Sequence, residues 1–111
     1  MTKEYLEKLT ELFKQISINT DFEIKHFFSG AAIYVRGNIC ISLTPVGFAI
    51  KLPEVLRGEL MKERGVKPLR YFSKGHIKKE YVVLPKRMMD DKKLLLNLIK
   101  KSFETQYKIK K

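Results

Sequence analysis

The residue types that most often perform chemistry are few in this sequence and widely spaced. The two histidines, His26 and His76, have no second histidine, cysteine or carboxylate at the spacing of a metal or catalytic motif. The single cysteine, Cys40, lies in a strand pattern, which indicates a small packed residue rather than a nucleophile. No serine lies in a Gly-x-Ser-x-Gly elbow, and the glycines form no phosphate-binding loop. We therefore predict no catalytic residue, no metal ligand and no cofactor, although an enzyme for an acidic small molecule, acting near His76 or Cys40, stays a third and weaker alternative.

Positive charge is the clearest functional signal in the sequence. The chain has 23 basic and 12 acidic side chains, and the excess lies after residue 28. A charge of +11 favours polyanions such as nucleic acid, although lysine-rich surfaces are often simply solvated. A surface of this kind would bind phosphates without recognising base sequence. The candidate nucleic-acid-binding residues are Arg70, Lys74, Lys78, Lys79, Lys86 and Arg87, together with the C-terminal lysines.

Length and composition indicate one compact domain that spans residues 1–111. One cysteine allows no internal disulfide, which is typical of a reducing compartment. The polar N-terminus does not resemble a signal peptide, and no apolar run is long enough to span a membrane. We expect a cytoplasmic protein that does not bind membranes.

Three segments have the apolar periodicity of amphipathic helices. In residues 3–17, apolar side chains recur every three or four positions, and residues 54–64 and the segment after Asp90-Asp91 show the same pattern. Pro53 suits the first position of the second helix, and either aspartate suits the N-terminus of the third. The chain is thus predicted to have a helix near each end and one between.

Residues 27–51 have the pattern of three strands joined by two tight turns. Gly37-Asn38 suits a type II′ hairpin turn, and Pro45-Val46-Gly47 suits the second turn. Residues 68–72 and 80–84 are predicted to be two further strands, while residues 22–28 are either an extended lead-in or a short strand. Alternation gives an apolar face of Ile33, Val35, Ile39, Ile41, Phe48 and Ile50. The opposite, mixed face carries Ala32, Tyr34, Cys40, Ser42 and Ala49.

The predicted order is one helix, three strands, a helix, two strands and a helix, or α-β3-α-β2-α. This order is typical of an α+β two-layer sandwich, with an antiparallel sheet and helices on one face. The other sheet face would be free of helices. We expect it to bind a protein partner or a second copy of the chain in a homodimer.

Several of these segments resemble the N-terminal domain of the TfoX/Sxy family. Phe28-Ser29-Gly30, residues 33–37 and Phe48-Ala49-Ile50-Lys51 are similar to its Phe-Gly-Gly-like start, its apolar strand with hairpin, and its Leu-Tyr-Leu-Lys-like strand. Pro68-Leu69-Arg70-Tyr71 and residues 81–85 resemble its Pro-Phe-x-Tyr-like and Tyr-Tyr-x-x-Pro-like strands. The resemblance covers residues 5–105, with Ser29 in place of the usual glycine and Leu69 in place of a common phenylalanine.

The resemblance implies a fold similar to secretion-chaperone-like domains and no catalytic motif. It also implies a link to the regulation of natural competence, in which full-length members act with the cAMP receptor protein at promoters. Those members carry a C-terminal helix–hairpin–helix domain, and the expectation here is a stand-alone N-terminal domain. We therefore predict a non-enzymatic module for protein interaction or transcription and competence regulation. The alternative is a nucleic-acid-binding protein that uses a basic surface around residues 70–87 and the C-terminal lysines.

Overall fold

The computed structural model describes residues 2–14, 21–27, 30–70 and 78–108. Its elements are α1 (Thr2–Lys14), β1 (Glu23–Phe27), β2 (Gly30–Val35), β3 (Asn38–Thr44), β4 (Gly47–Lys51), α2 (Glu54–Leu60), β5 (Lys67–Leu69), β6 (Lys78–Leu84), α3 (Lys86–Met89) and α4 (Lys92–Lys108). The predicted α+β class is confirmed, and residues 22–28 contain a strand.

The six strands form one antiparallel sheet in the order β1-β2-β3-β4-β6-β5. The first four strands follow the chain as a meander. The last two are exchanged, because α2 leads to β5 at the edge and β6 then returns between β5 and β4. The edges of the described sheet are therefore β1 and the short β5.

All four helices of the described part pack on the same face of the sheet, as the sequence pattern predicts. Each contributes to the main core: Leu9 from α1, Leu60 from α2, Met88 from α3 and Ile99 from α4. Three rings close one end of this core, with centroid distances of 5.1 Å for Phe13–Phe22, 5.9 Å for Phe22–Phe103 and 6.3 Å for Phe13–Phe103. Burial of each such side chain contributes about 1.5–3 kcal/mol. The result is the two-layer sandwich.

A β-bulge in β3 overturns the predicted facing of two residues. Ile33 pairs with Ile41, but Tyr34 pairs with Ile39, so the register shifts by one residue and Cys40 lies in the bulge. The extra residue reverses the alternation. Cys40 consequently joins the main core, and Ile39 shares the opposite face with Tyr34. The prediction that placed Ile39 on the core face and Cys40 on the mixed face was wrong at both positions.

Ser102 of α4 contacts the bulge at Cys40. Its hydroxyl donates to the carbonyl oxygen of Cys40 at 3.4 Å, and the thiol of Cys40 lies 4.0 Å from the carbonyl oxygen of Ser102. Both residues are fully buried. These two contacts join α4 to the bulge, and buried polar groups that are hydrogen-bonded avoid the cost of being left unsatisfied.

The first hairpin turn lies one residue earlier than predicted. Val35 pairs with Asn38, which leaves Arg36 and Gly37 as the two loop residues. Their φ angles are 54° and 82°, so both are left-handed, as a type I′ turn requires, rather than the predicted type II′ turn at Gly37-Asn38. The pairing of β2 with β3 places Arg36 in the turn, where it adopts a positive φ that is unfavourable for a residue with a Cβ.

The helical segments also differ in detail from the prediction. α2 ends at Leu60, and turns follow as far as Gly65, whose φ is 91°. The short α3, which no periodicity indicated, follows Pro85 and places Met88 in the core.

Candidate interaction surfaces

Among the basic residues predicted around 70–87, the described positions lie at two ends of β6. Arg70 follows β5, and Lys78 pairs with Leu69 at the same end of β6. Lys86 and Arg87 lie in α3, beyond the other end of that strand. Since a strand rises about 3.3 Å per residue, the six steps along β6 separate the two groups by about 20 Å.

Two of these cations are engaged with neighbours. The Lys86 ammonium lies 3.2 Å from the Asp90 carboxylate, and the Arg87 guanidinium lies 3.6 Å from the Glu63 carboxylate. Arg87 also donates to the carbonyl oxygen of Arg64 at 2.8 Å. These exposed ion pairs are weak, but they reduce the net charge available to phosphate. Lys74 and the side chains of Lys78 and Lys79 lie outside the described part.

A second basic group lies on the exposed side of α4. Lys93, Lys100 and Lys101 are exposed and form no ion pair with any described residue. Lys93 and Lys100 are seven residues apart, which is two helical turns or about 10.5 Å along the axis. We call these three residues the α4 lysines. The sequence indicated them only as part of the C-terminal lysines.

The sheet face opposite the helices, here called the outer face, includes residues that are fully buried. Ala32, Ser42 and Ala49 are each 0% exposed, although no described helix packs there. A second, small apolar cluster on this face is formed by Ala49, Leu69 and Val83, with Tyr81 packed against it. The outer face is therefore more apolar and more buried than the mixed face that the sequence pattern predicted.

Tyr81 and two neighbouring side chains form the accessible part of the outer face. The Tyr81 hydroxyl donates to the carbonyl oxygen of Ile39 at 2.7 Å. Since β4 lies between β6 and β3, the Tyr81 side chain must cross β4. Tyr34 and Ile39 are half-buried as well, and the Lys25 ammonium lies 5.2 Å from the centroid of the Tyr34 ring. The hydrogen bond and the cation–π contact hold both rings in place.

A shallow cleft of about 450 Å³ borders this face at the first hairpin. Its lining residues are Asp21, Phe22, Glu23, Tyr34, Arg36 and Gly37. Two carboxylates and a guanidinium beside an aromatic ring suit a charged side chain of a partner. The sequence analysis did not find this cleft. The nearest signal in the sequence was the turn predicted at Gly37-Asn38, which indicated a hairpin but no cleft.

The described residues provide no obvious starting point for catalysis or metal binding. No three histidine, cysteine or acidic side chains among them are grouped as metal ligands. The thiol of Cys40 is fully buried, and neither Cys40 nor His26 lines the cleft. His76 lies outside the described residues. Within the described part, no helix is both long enough and apolar enough to cross a membrane.

These features define a small α+β domain whose accessible groups are suited to recognition. The family model of the TfoX N-terminal domain matches residues 11–106 of the 111-residue chain. The chain therefore belongs to the TfoX N-terminal domain family, and the resemblance drawn from its motifs is confirmed. This is not a known enzyme family. No curated protein matches the chain.

Proposed function

We propose that the chain is a non-catalytic, cytoplasmic interaction module that takes part in regulating transcription, in the manner expected for competence regulators. Its contact surface is the outer face, where a partner protein or a second copy would bind. One observation carries this proposal: all four described helices pack on the opposite side of the sheet, which leaves Tyr34, Ile39 and Tyr81 partly accessible.

The composition of the outer face supports binding to a protein. Tyrosine is enriched at the centres of protein interfaces, because it combines a large apolar ring with one polar group. The Tyr81 hydroxyl bond and the contact between Lys25 and Tyr34 fix both rings before any partner arrives. Ordered side chains lose less conformational entropy on binding, so more of the contact energy contributes to affinity.

Transcript levels in the cell that encodes the protein would test this function. A strain that lacks the gene is complemented with the wild type, with Ile39→Glu or with Val55→Glu. Ile39 lies on the outer face, whereas Val55 is 76% exposed on α2 and provides the same apolar-to-acidic change elsewhere. We expect the wild type and Val55→Glu to restore the transcripts that change on deletion, and Ile39→Glu to fail at equal protein level.

Two results of that experiment would count against the proposal. If deletion changes no transcripts, the regulatory role is wrong. If Ile39→Glu, shown to be folded by circular dichroism, complements as well as Val55→Glu, the outer face is not the contact surface.

A second candidate function is nucleic-acid binding through basic side chains. The observation that favours it is the absence of described ion partners around Lys93, Lys100 and Lys101, in a chain of net charge +11. Lysines spaced along one helix can contact successive phosphates and release counterions. Such binding would be strong at low salt and would not depend on base sequence.

A salt titration of binding to duplex DNA separates the possible surfaces. The first variant changes the α4 lysines to glutamate, and the second changes the predicted Lys74, Lys78 and Lys79. A control of equal charge changes the dispersed, exposed Lys14, Lys62 and Lys67. If the α4 lysines bind phosphates, their variant alone lowers the slope of log K against log salt by about three units. Equal losses in all three variants would indicate non-specific attraction to net charge, and no binding at low salt would exclude this function.

A further inference from the structure

The strand β1 forms an edge of the sheet that is open on its outer side in the described structure. Residues 23–26, here called the β1 edge, pair with β2 and with no other described strand. Their side chains are exposed or half-buried. An edge strand presents a row of backbone donors and acceptors that can pair with a further strand.

The charges on the β1 edge are of opposite sign and are accessible. Glu23 and Lys25 project from the outer face, since they pair with Tyr34 and Ala32. Their ion pair, at 3.2 Å, joins side chains that are 68% and 58% exposed. A pair so exposed contributes little, so giving up this ion pair for a cross-strand pair costs little. The contact of the Lys25 ammonium with the Tyr34 ring, at 5.2 Å, competes with the new pair.

This charge order makes the edge complementary to itself in one antiparallel register. When Ile24 lies opposite Ile24 of a second copy, Glu23 faces the second copy's Lys25, and Lys25 faces its Glu23. Moving the centre to Glu23 or to Lys25 places like charges opposite each other, which is destabilising. If the centre of the pairing lay between two residues, an outer-face side chain of one copy would lie opposite a core-face side chain of the other. Residues that lie opposite each other in neighbouring strands project to the same face, so this register is not possible.

The distribution of net charge also favours contact at this edge. Residues 1–28 hold four basic and five acidic side chains, so the positive excess lies elsewhere in the chain. Two copies that approach through β1 therefore meet with little repulsion, despite a net charge of +11 on each. Edge strands that are protected against pairing usually carry charges that repel a second copy. On the β1 edge, the alternating charges of Glu23 and Lys25 instead attract a second copy.

We propose that a second copy of the chain pairs with the β1 edge in antiparallel orientation, centred on Ile24, and extends the sheet across both copies. The β1 edge borders the outer face, onto which the Glu23 and Lys25 side chains project, but the dimer does not depend on the proposed function. Because a strand of five residues buries less than the roughly 1,200 Å² of a standard interface, the dimer is weak and forms at about 0.1–1 mM protein.

Sedimentation velocity over a concentration series tests the proposal with a set of charge variants. Glu23→Lys and Lys25→Glu each place like charges opposite each other twice, and each lowers self-association about tenfold. The double variant Glu23→Lys/Lys25→Glu exchanges the two charges and restores wild-type association. A mixture of the two single variants restores it too, as a heterodimer of one cationic and one anionic edge. Glu11→Lys, an equal charge change on the exposed side of α1, leaves association unchanged.

The proposal is overturned by a folded wild type that stays monomeric at about 1 mM. It is also overturned if the single variants self-associate as well as the wild type, or if neither the double variant nor the mixture recovers association. Each of these results leaves the transcript test of Ile39→Glu unaffected, so failure of the dimer and failure of the proposed function are told apart.

Discussion

Replacing Gly30 with alanine is expected to destabilise the domain by about 3 kcal/mol, which is the upper part of the usual range for overpacking. A Cβ at this position would overlap the carbonyl oxygen of Leu43 and would lie 2.8 Å from the Cα of Thr44. Both atoms belong to the backbone of β3, so no side-chain rotation relieves the overlap. The strand itself must move, which weakens its pairing with β2 and the core packing behind it.

Gly58 provides a matched control for this prediction with the opposite sign. It is exposed in α2, and a Cβ there would have no neighbour within 4 Å. Alanine at an exposed helical position is better than glycine by about 0.5–1 kcal/mol. We therefore expect Gly58→Ala to be more stable than the wild type.

Chemical unfolding in urea, followed by circular dichroism, measures both changes. If the denaturant dependence stays the same, a shift in midpoint reports a change in the free energy of unfolding. In a domain of this size, the loss at Gly30 corresponds to a melting temperature about 13 °C lower. A Gly30→Ala variant as stable as the wild type would refute the close packing of β2 against β3, and a large loss in Gly58→Ala would refute the exposure of α2.

Three further predictions concern the two faces of the sheet. Tyr81→Phe removes the hydroxyl bond to Ile39 and should lower the free energy of unfolding by about 0.5–1.5 kcal/mol, whereas an unchanged value would show that water replaces the bond fully. Phe103→Ala opens a cavity beside Phe13 and should cost about 3–5 kcal/mol in the same urea assay, and a cost below about 1 kcal/mol would contradict its burial. The thiol of Cys40 should react with a thiol reagent only in denaturant, because it is fully buried, and immediate reaction in the native state would contradict this.

Local patterns allowed most of the strands and helices to be predicted, but not the details of register. Alternation identified β2, β3 and β4 and most of their core residues. It failed at Ile39 and Cys40, because a bulge adds one residue and no local preference marks where it lies. The predicted hairpin turn was one residue too late for a related reason. Pairing of Val35 with Asn38 places Arg36 and Gly37 in the loop, although a positive φ is unfavourable for arginine.

The candidate surfaces were harder to predict than the fold, since they depend on what lies close in space. Arg70 and Arg87 are both basic and near in sequence, yet β6 separates them, and Arg87 is paired with a glutamate 24 positions earlier. The cleft joins the segment before β1 to the first hairpin, which no motif connects. The self-complementary order of Glu23, Ile24 and Lys25 is visible in the sequence. This order can favour pairing with a second copy only because β1 lies at the edge of the sheet.

The sequence by itself determined the fold class, the family and the charge of this protein. Apolar periodicity, turn residues and net charge are properties of short segments, and they depend on local side-chain chemistry. The tertiary structure decided which face Cys40 and Ile39 occupy, which cations are paired with acidic side chains, and which strand lies at the edge of the sheet. Those outcomes follow from pairing and packing between distant segments, whose energies no single segment contains.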